Sequence, residues 1–163
     1  MFSASALDQF QGFVQGLPEP LQWLGVVVIS AVPFIESYFG SAIGVAAGIF
    51  PVFAVLFAVL GNTVSMLVFV LTAAKTRRAI KQRGGDPQPL SARKAKLKQR
   101  LDRYGVPLVS LAGQTVLPSQ IVAAAMVSFG ADTRKVILWQ IISIVLWGTV
   151  FATLATIGVA VIR

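Results

Sequence analysis

The sequence contains no cysteine and no histidine. The first absence excludes disulfides and thiolate chemistry, and the second removes the usual acid–base and metal-ligand side chain. No acidic cluster takes their place, because the six carboxylates (Asp8, Glu19, Glu36, Asp86, Asp102 and Asp132) are scattered. A soluble-type hydrolase or a metalloenzyme is therefore not expected: the reading is no enzyme, no cofactor and no metal. Charge is also scarce, at 12% of residues, against about 25% in soluble domains. Not one Lys or Arg occurs in residues 1–74.

What is present is apolar. The 163 residues are 56% hydrophobic, with a mean hydropathy of +0.79. A soluble globule of this size has too much surface to hide that much apolar side chain. Disorder is excluded by the same composition. The expectation is an all-α integral membrane protein.

The 14 basic residues give a net charge of +8, yet 11 of them fall between Lys75 and Arg103. In a soluble protein such a cluster points to nucleic acid. Between long apolar runs it is a topogenic signal that keeps its loop in the cytoplasm, and no nucleic-acid partner is expected. The expected location is a bacterial cell (inner or plasma) membrane, crossed several times, with loop 75–103 cytoplasmic.

Residues 1–20 form a first segment. Phe2, Leu7, Phe10, Phe13, Val14 and Leu17 recur at roughly helical spacing, with Asp8 and glutamines between them. The pattern fits an amphipathic helix at the membrane interface, or one packed on the protein's own surface. A signal peptide is not expected, because there is no basic n-region and polar residues break the apolar run.

Two apolar halves follow. In the first (21–74), an apolar stretch from Leu21 to Ile35 meets Glu36. A second stretch, Ser41 to Ala74, runs 34 residues without a charge. That exceeds one span of about 20 residues. Pro51 divides it into a short Gly-rich piece and a full span over 52–74. The loop 75–103 contains a turn signal at Gly84–Pro89 and then an expected basic helix, Ser91–Arg103, with Ser91 as a candidate N-cap. This stretch either rests on anionic headgroups or is a solvated, orientation-setting loop. The second half (104–163) repeats the plan. Val106–Leu117 is interrupted at Pro118-Ser119-Gln120, Ile121–Phe129 is short, and 136–162 is a full span.

A gapless shift of 78 residues places Glu36 on Gln114, Ser41 on Ser119, Asn62 on Gln140 and Ser65 on Ser143. Each half then reads as a short piece, a polar break, a short piece and a span. Pieces of about 10–15 residues are too short to cross a core about 30 Å thick. They can enter and return where protein covers their backbone. The expected architecture is thus two inverted repeats, each a re-entrant helical hairpin (about 22–50 and about 105–130) followed by a full transmembrane helix. Both termini would lie outside. Four simple spans with both termini inside is the alternative.

Glu36 is the sharpest candidate, as the lone carboxylate in the apolar first half. An ionised carboxylate at membrane depth costs about 2.5–3.5 kcal/mol on insertion scales. That cost points to proton coupling or cation binding, the alternative being a loop carboxylate at the interface, where a break between spans would sit. Gln114, Ser119 and Gln120 form the equivalent break and can donate and accept hydrogen bonds without titrating. Asn62 and Gln140 lie within the spans, as site residues or as interhelical hydrogen-bond partners. Asp132, Arg134 and Lys135 read as a solvated turn. Gly40, Gly44, Gly48 and Gly61 suit close helix packing.

These residues carry a resemblance. Ala31-Val32-Pro33-Phe34-Ile35-Glu36, then Gly44 and Gly48, then Ala54, Ala58 and Gly61-Asn62 resemble the first half of the bacterial small multidrug export family. Arg103-Tyr104-Gly105, Pro118, Gly130 and the basic pair before the last span are similar to its second half. The likeness covers about 22–160. It implies relatedness to the wider DedA membrane family, two opposed re-entrant hairpins, and movement of drugs or lipid-carrier phosphates. Two departures stand out: Val106–Phe129 has no Arg or Lys, and Ser37 replaces the basic residue that usually follows the Glu.

The expected function is a small secondary transporter or flippase, proton-linked, for an amphiphilic substrate (a lipophilic cation or a lipid headgroup). Its partners would be membrane lipids and a second copy in a parallel homo-oligomer. The alternative is a non-transporting subunit that scaffolds a larger membrane complex.

Overall fold

A computed structural model describes residues 4–82 and 92–162. The turn expected at Gly84–Pro89, the Ser91 cap and Phe2 lie outside the described residues. Every regular element among those described is a helix: α1 (Ala4–Gly16), a 3₁₀ turn (Glu19–Leu21), α2 (Gln22–Ser30), α3 (Glu36–Ala46), α4 (Pro51–Gln82), α5 (Ala92–Gly113), α6 (Ser119–Ser128) and α7 (Thr133–Ile162).

The chain divides into two compact units. The first is Met1–Ser65 with Ile144–Arg163, and the second is Met66–Ser143. In the first unit α1 packs on α2 and α3. Its buried Val14 joins Val26, Ile29, Ile35, Ile43 and Ala58 in one apolar cluster, with Phe10 against it. In the second unit α5 packs on α6.

Glycine and proline set the boundaries. Gly48 (φ 98) ends α3, with Ile49 N donating to Gly44 O at 3.0 Å and Gly48 N to Val45 O at 3.0 Å. Gly130 (φ 108) ends α6, with Ala131 N donating to Met126 O at 3.0 Å and Gly130 N to Val127 O at 3.1 Å. Both are Schellman ends, which favour the residue without a Cβ. Pro51 starts α4 at the position where a missing N–H costs nothing. Gly105 (φ 73, ψ 176) breaks α5 into a basic piece and an apolar piece. Pro107 then stands at the start of the apolar piece, where its fixed φ suits a helix.

Among its described residues the segment 75–103 is helical, as expected from residue 92 onward but not over 75–82. α4 runs on to Gln82, past the apolar span expected to end at 74, and α5 begins at Ala92. Lys and Arg are good helix formers, so charge alone does not end a helix. Asp132 is a cap rather than part of a simple turn: its Oδ1 accepts from Lys135 N at 2.8 Å. That bond satisfies an orphan donor of the first turn of α7 and offsets the two cations there.

α4 and α7 are long and apolar enough to cross a membrane. Only 33% and 17% of their apolar windows are buried within the protein. The buried stripe of α4 is Ala54, Ala58, Asn62, Met66 and Val70, and that of α7 includes Val136, Gln140, Ile144 and Ala152. The opposite faces expose Leu56, Leu60, Val64, Val68 and Leu71, and Leu138, Ile142, Leu146, Val150 and Leu154. Both helices are apolar nearly all round. The inward faces mix small residues (Ala54, Ala58, Ala152), amides (Asn62, Gln140) and larger apolar side chains (Met66, Ile144), while the outward faces carry Leu, Val and Ile.

Candidate functional site

In the first unit Glu36 opens α3 and is fully buried. α2 ends because Pro33 lacks an N–H and clashes with the preceding turn. The chain reverses within five residues, held by Ile35 N to Val32 O at 3.1 Å and Glu36 N to Val32 O at 3.2 Å. Phe34 (φ 76) and Glu36 (φ 55) occupy the left-handed region. That conformation costs non-glycine residues about 1–2 kcal/mol each. It persists because the packing around it over-determines it, a pattern that clusters at functional sites.

Serines fasten this segment. Ser37 Oγ donates to Ile144 O at 2.8 Å, and Ser41 Oγ donates to Gly148 O at 2.8 Å. Both pairs lie one helical turn apart on α3 and on α7. A Cβ on Gly148 would lie 3.3 Å from Ser37 Cβ, so the glycine permits the approach. Small residues do the same elsewhere. A Cβ on Gly40 would overlap the Ser30 side chain, and one on Gly61 would overlap the Val27 carbonyl. Asn62, next to Gly61, is fully buried in the same unit.

An aromatic group lies beside this segment. The Tyr38 ring is 4.9 Å from Phe39 and 5.3 Å from Phe151, centroid to centroid. Trp147 lies 6.4 Å from Phe151. The Tyr38 hydroxyl donates to Phe34 O at 3.1 Å. The sequence reading missed this group. Its signal was the run Tyr38-Phe39 directly after a buried carboxylate, but the partners from α7 are more than 100 residues away.

In the second unit Gln114, Gln140, Ser119 and Gln120 are all buried. Gln114 Nε2 donates to Gln140 Oε1 at 3.0 Å, and Ser143 Oγ donates to Ser110 O at 2.9 Å. Gln114 Oε1, Gln140 Nε2 and Ser110 Oγ make no hydrogen bond among the described residues. Ser119 and Gln120 are the first two residues of α6, where Pro118 is the N-cap. Ser119 Oγ donates to Gln120 Oε1 at 3.4 Å. The structure thus pairs Gln114 with Gln140 and Ser119 with Gln120 in one unit, and places Glu36 and Asn62 in the other. Among the described residues, no three carboxylates gather where they could hold a metal ion.

The element boundaries recur at a different interval from the polar residues. α3 and α6 start at 36 and 119, α4 and α7 at 51 and 133, and the helix-ending glycines are 48 and 130. The interval is 82 or 83, about one helical turn more than the 78-residue shift. Internal packing follows the same interval. Gly61 sits on the Val27 carbonyl in one unit, and Ser143 bonds the Ser110 carbonyl in the other. Gly40 meets Ser30 in one, and Gly113 meets Val122 at 3.0 Å in the other. In element order Glu36 and Ser119 each open a short helix, whereas the 78-residue shift sets Glu36 on Gln114. Sparse polar matches cannot resolve a slip of one turn, because residues four apart share a helix face.

No family model, no curated protein and no solved structure matches the chain.

Proposed function

We propose that the chain is a small secondary transporter or flippase of a bacterial inner membrane, with Glu36 as its proton-coupling group. The observation that carries this reading is a fully buried carboxylate at the head of α3, in a unit whose apolar helices hold no other acid. A buried ionisable group in such surroundings is functional by default, because its cost is otherwise unexplained.

Helix lengths support two re-entrant hairpins. α2, α3 and α6 have 9, 11 and 10 residues, giving about 14, 17 and 15 Å. Each is short of a core about 30 Å thick. The recurrence of element starts and ends at 82 or 83 residues supports a duplicated unit. With the basic segment inside, two hairpins and two spans make the repeats inverted, with both termini outside. This arrangement agrees with kinship to the small multidrug export and DedA families. A parallel homo-oligomer completes the proposed assembly.

Of the two amphiphilic substrate classes, a lipophilic cation is the better fit. Glu36 supplies the negative charge, and Tyr38, Phe39, Phe151 and Trp147 supply ring faces that attract cations. In the same unit the buried Asn62 amide would supply an orienting hydrogen bond, whereas Ser119, Gln120 and the Gln114–Gln140 pair belong to the other unit. The test is uptake of a lipophilic cationic dye by proteoliposomes under an imposed pH gradient. Wild-type protein is expected to carry it, and Glu36→Gln to lose at least tenfold in rate. Equal transport by Glu36→Gln would refute the coupling role. No flux, with a partner co-purifying at fixed stoichiometry, would favour the scaffold reading.

A further inference from the structure

The basic piece of α5 ends at a small cavity that changes character along its length. It has a volume of about 180 Å³ and is lined by Arg100, Tyr104, Leu108, Val109, Ala112 and Gly113. Arg100 and Tyr104 precede the Gly105 break, and the apolar lining follows it. The cavity therefore has a cationic, hydrogen-bonding mouth and an apolar floor. Leu108 is 48% exposed, so that floor is open to the surroundings.

Two of the neighbouring charges are already engaged. Lys98 Nζ pairs with Asp102 at 2.7 Å. The Arg103 guanidinium lies over the Tyr104 ring, 5.2 Å from its centroid. Among the described residues no carboxylate pairs with Arg100. From Arg93 to Arg103 the piece carries six basic residues against one acid, Asp102. A guanidinium at the mouth of an apolar slot matches a ligand with an anionic oxygen group and a hydrocarbon tail.

We propose that this cavity seats the phosphate and the first methylenes of one acyl chain of an anionic diacyl phospholipid from the cytoplasmic leaflet, the rest of the lipid lying outside it. The phosphate sits between the Arg100 guanidinium and the Tyr104 hydroxyl, and the acyl chain lies along Leu108 and Ala112. The Gly105 break serves this geometry. It lets the basic piece follow the headgroup plane while the apolar piece turns into the hydrocarbon. The site rests on the membrane reading but not on transport, and it lies apart in sequence from Glu36.

The experiment is native mass spectrometry of the full chain, released from micelles containing equal phosphatidylglycerol and phosphatidylcholine. Wild-type protein is expected to retain one phosphatidylglycerol in preference. Arg100→Gln should lower that retention about fivefold, the factor that corresponds to about 1 kcal/mol for one cation at the membrane surface. Lys96→Gln removes the same charge outside the cavity and should change it less than twofold. Ala112→Phe fills the exposed floor and should abolish retention without changing charge. Equal losses for Arg100→Gln and Lys96→Gln would mean diffuse attraction and overturn the site. Displacement by glycerophosphoglycerol, which has no acyl chains, would assign the mouth to free phosphate esters instead. If Ala112→Phe fails to fold, the two charge variants still decide. A chain released from membranes by alkaline carbonate would refute the membrane reading itself. Lost lipid preference in a chain that stays in the pellet refutes only this site.

Discussion

Ser37 and Gly148 meet where α3 crosses α7: a Cβ on Gly148 would come within 3.3 Å of the Ser37 Cβ. That closeness brings Ser37 Oγ to Ile144 O and Ser41 Oγ to Gly148 O, each at 2.8 Å. Removing both hydroxyls in Ser37→Ala/Ser41→Ala should cost about 1 kcal/mol, from about 0.6 kcal/mol per bond in membrane proteins. Gly148→Leu should cost more, about 1–3 kcal/mol, because overpacking forces helices apart. Unfolding in mixed micelles measures both. Equal stability of Gly148→Leu and wild type would show that the two helices do not depend on this approach.

Gly61 makes a sharper steric test. Its missing Cβ would overlap the Val27 carbonyl oxygen, a backbone atom that cannot rotate away. Gly61→Ala is expected to destabilise the protein by about 1–3 kcal/mol. Gly158, with nothing within 4 Å, provides the contrast. Gly158→Ala should be neutral or stabilising by up to about 1 kcal/mol, since alanine is the better helix former. The opposite order would contradict the packing described for α4.

The Gln114–Gln140 pair predicts non-additivity. Replacing either residue by leucine removes the 3.0 Å bond and strands the remaining buried amide, a cost of about 1–3 kcal/mol. The double variant Gln114→Leu/Gln140→Leu removes both amides together and should be less destabilised than the sum. A double-mutant cycle in micelles should give a coupling of about 0.6–1.7 kcal/mol. A coupling near zero would mean that the two amides do not act on each other.

Topology is open to direct measurement, because the chain has no cysteine to remove. Single cysteines at Ser5, Tyr38, Leu90, Pro118 and Arg163 should label in a set pattern with an impermeant maleimide. Positions 5 and 163 should react from outside and 90 from the cytoplasm. Position 38 should react from the outer side and 118 from the inner side. A position 5 reached only from the cytoplasm would refute the inverted-hairpin arrangement and favour four simple spans.

Much of the architecture was legible in the linear order of residues. Pro51 marks a helix start because proline lacks a donor, but Gly48, read as a packing glycine, has nothing within 4 Å of where a Cβ would stand and instead ends α3 at positive φ. The all-helical class followed from long apolar stretches with no alternation. The extent of the helices did not, since α4 continues eight residues beyond Ala74 on helix-favouring basic side chains. The role of Asp132 was missed as well, because a polar residue before a span can cap a helix or merely join a turn. A recurring interval between the two halves was suggested by the sequence, but its length was not. Polar matches suggested 78 residues, while the caps and starts of the helices recur at 82 or 83.

By itself the sequence determined the apolar composition, the clustering of positive charge and the lone acid of the first apolar half. Those depend on composition and on charge placed along the chain, which no folding rearranges: 11 of 14 basic residues in one segment, and Glu36 alone among apolar neighbours. The tertiary structure decided which faces of α4 and α7 turn inward, which serines bond which carbonyls, and which rings surround the segment after Glu36. A helix that is apolar all round carries no inward-facing stripe in its hydropathy. Its packed face is chosen by shape, where Gly61 and Ala58 let backbones approach, and shape exists only once the helices are in contact.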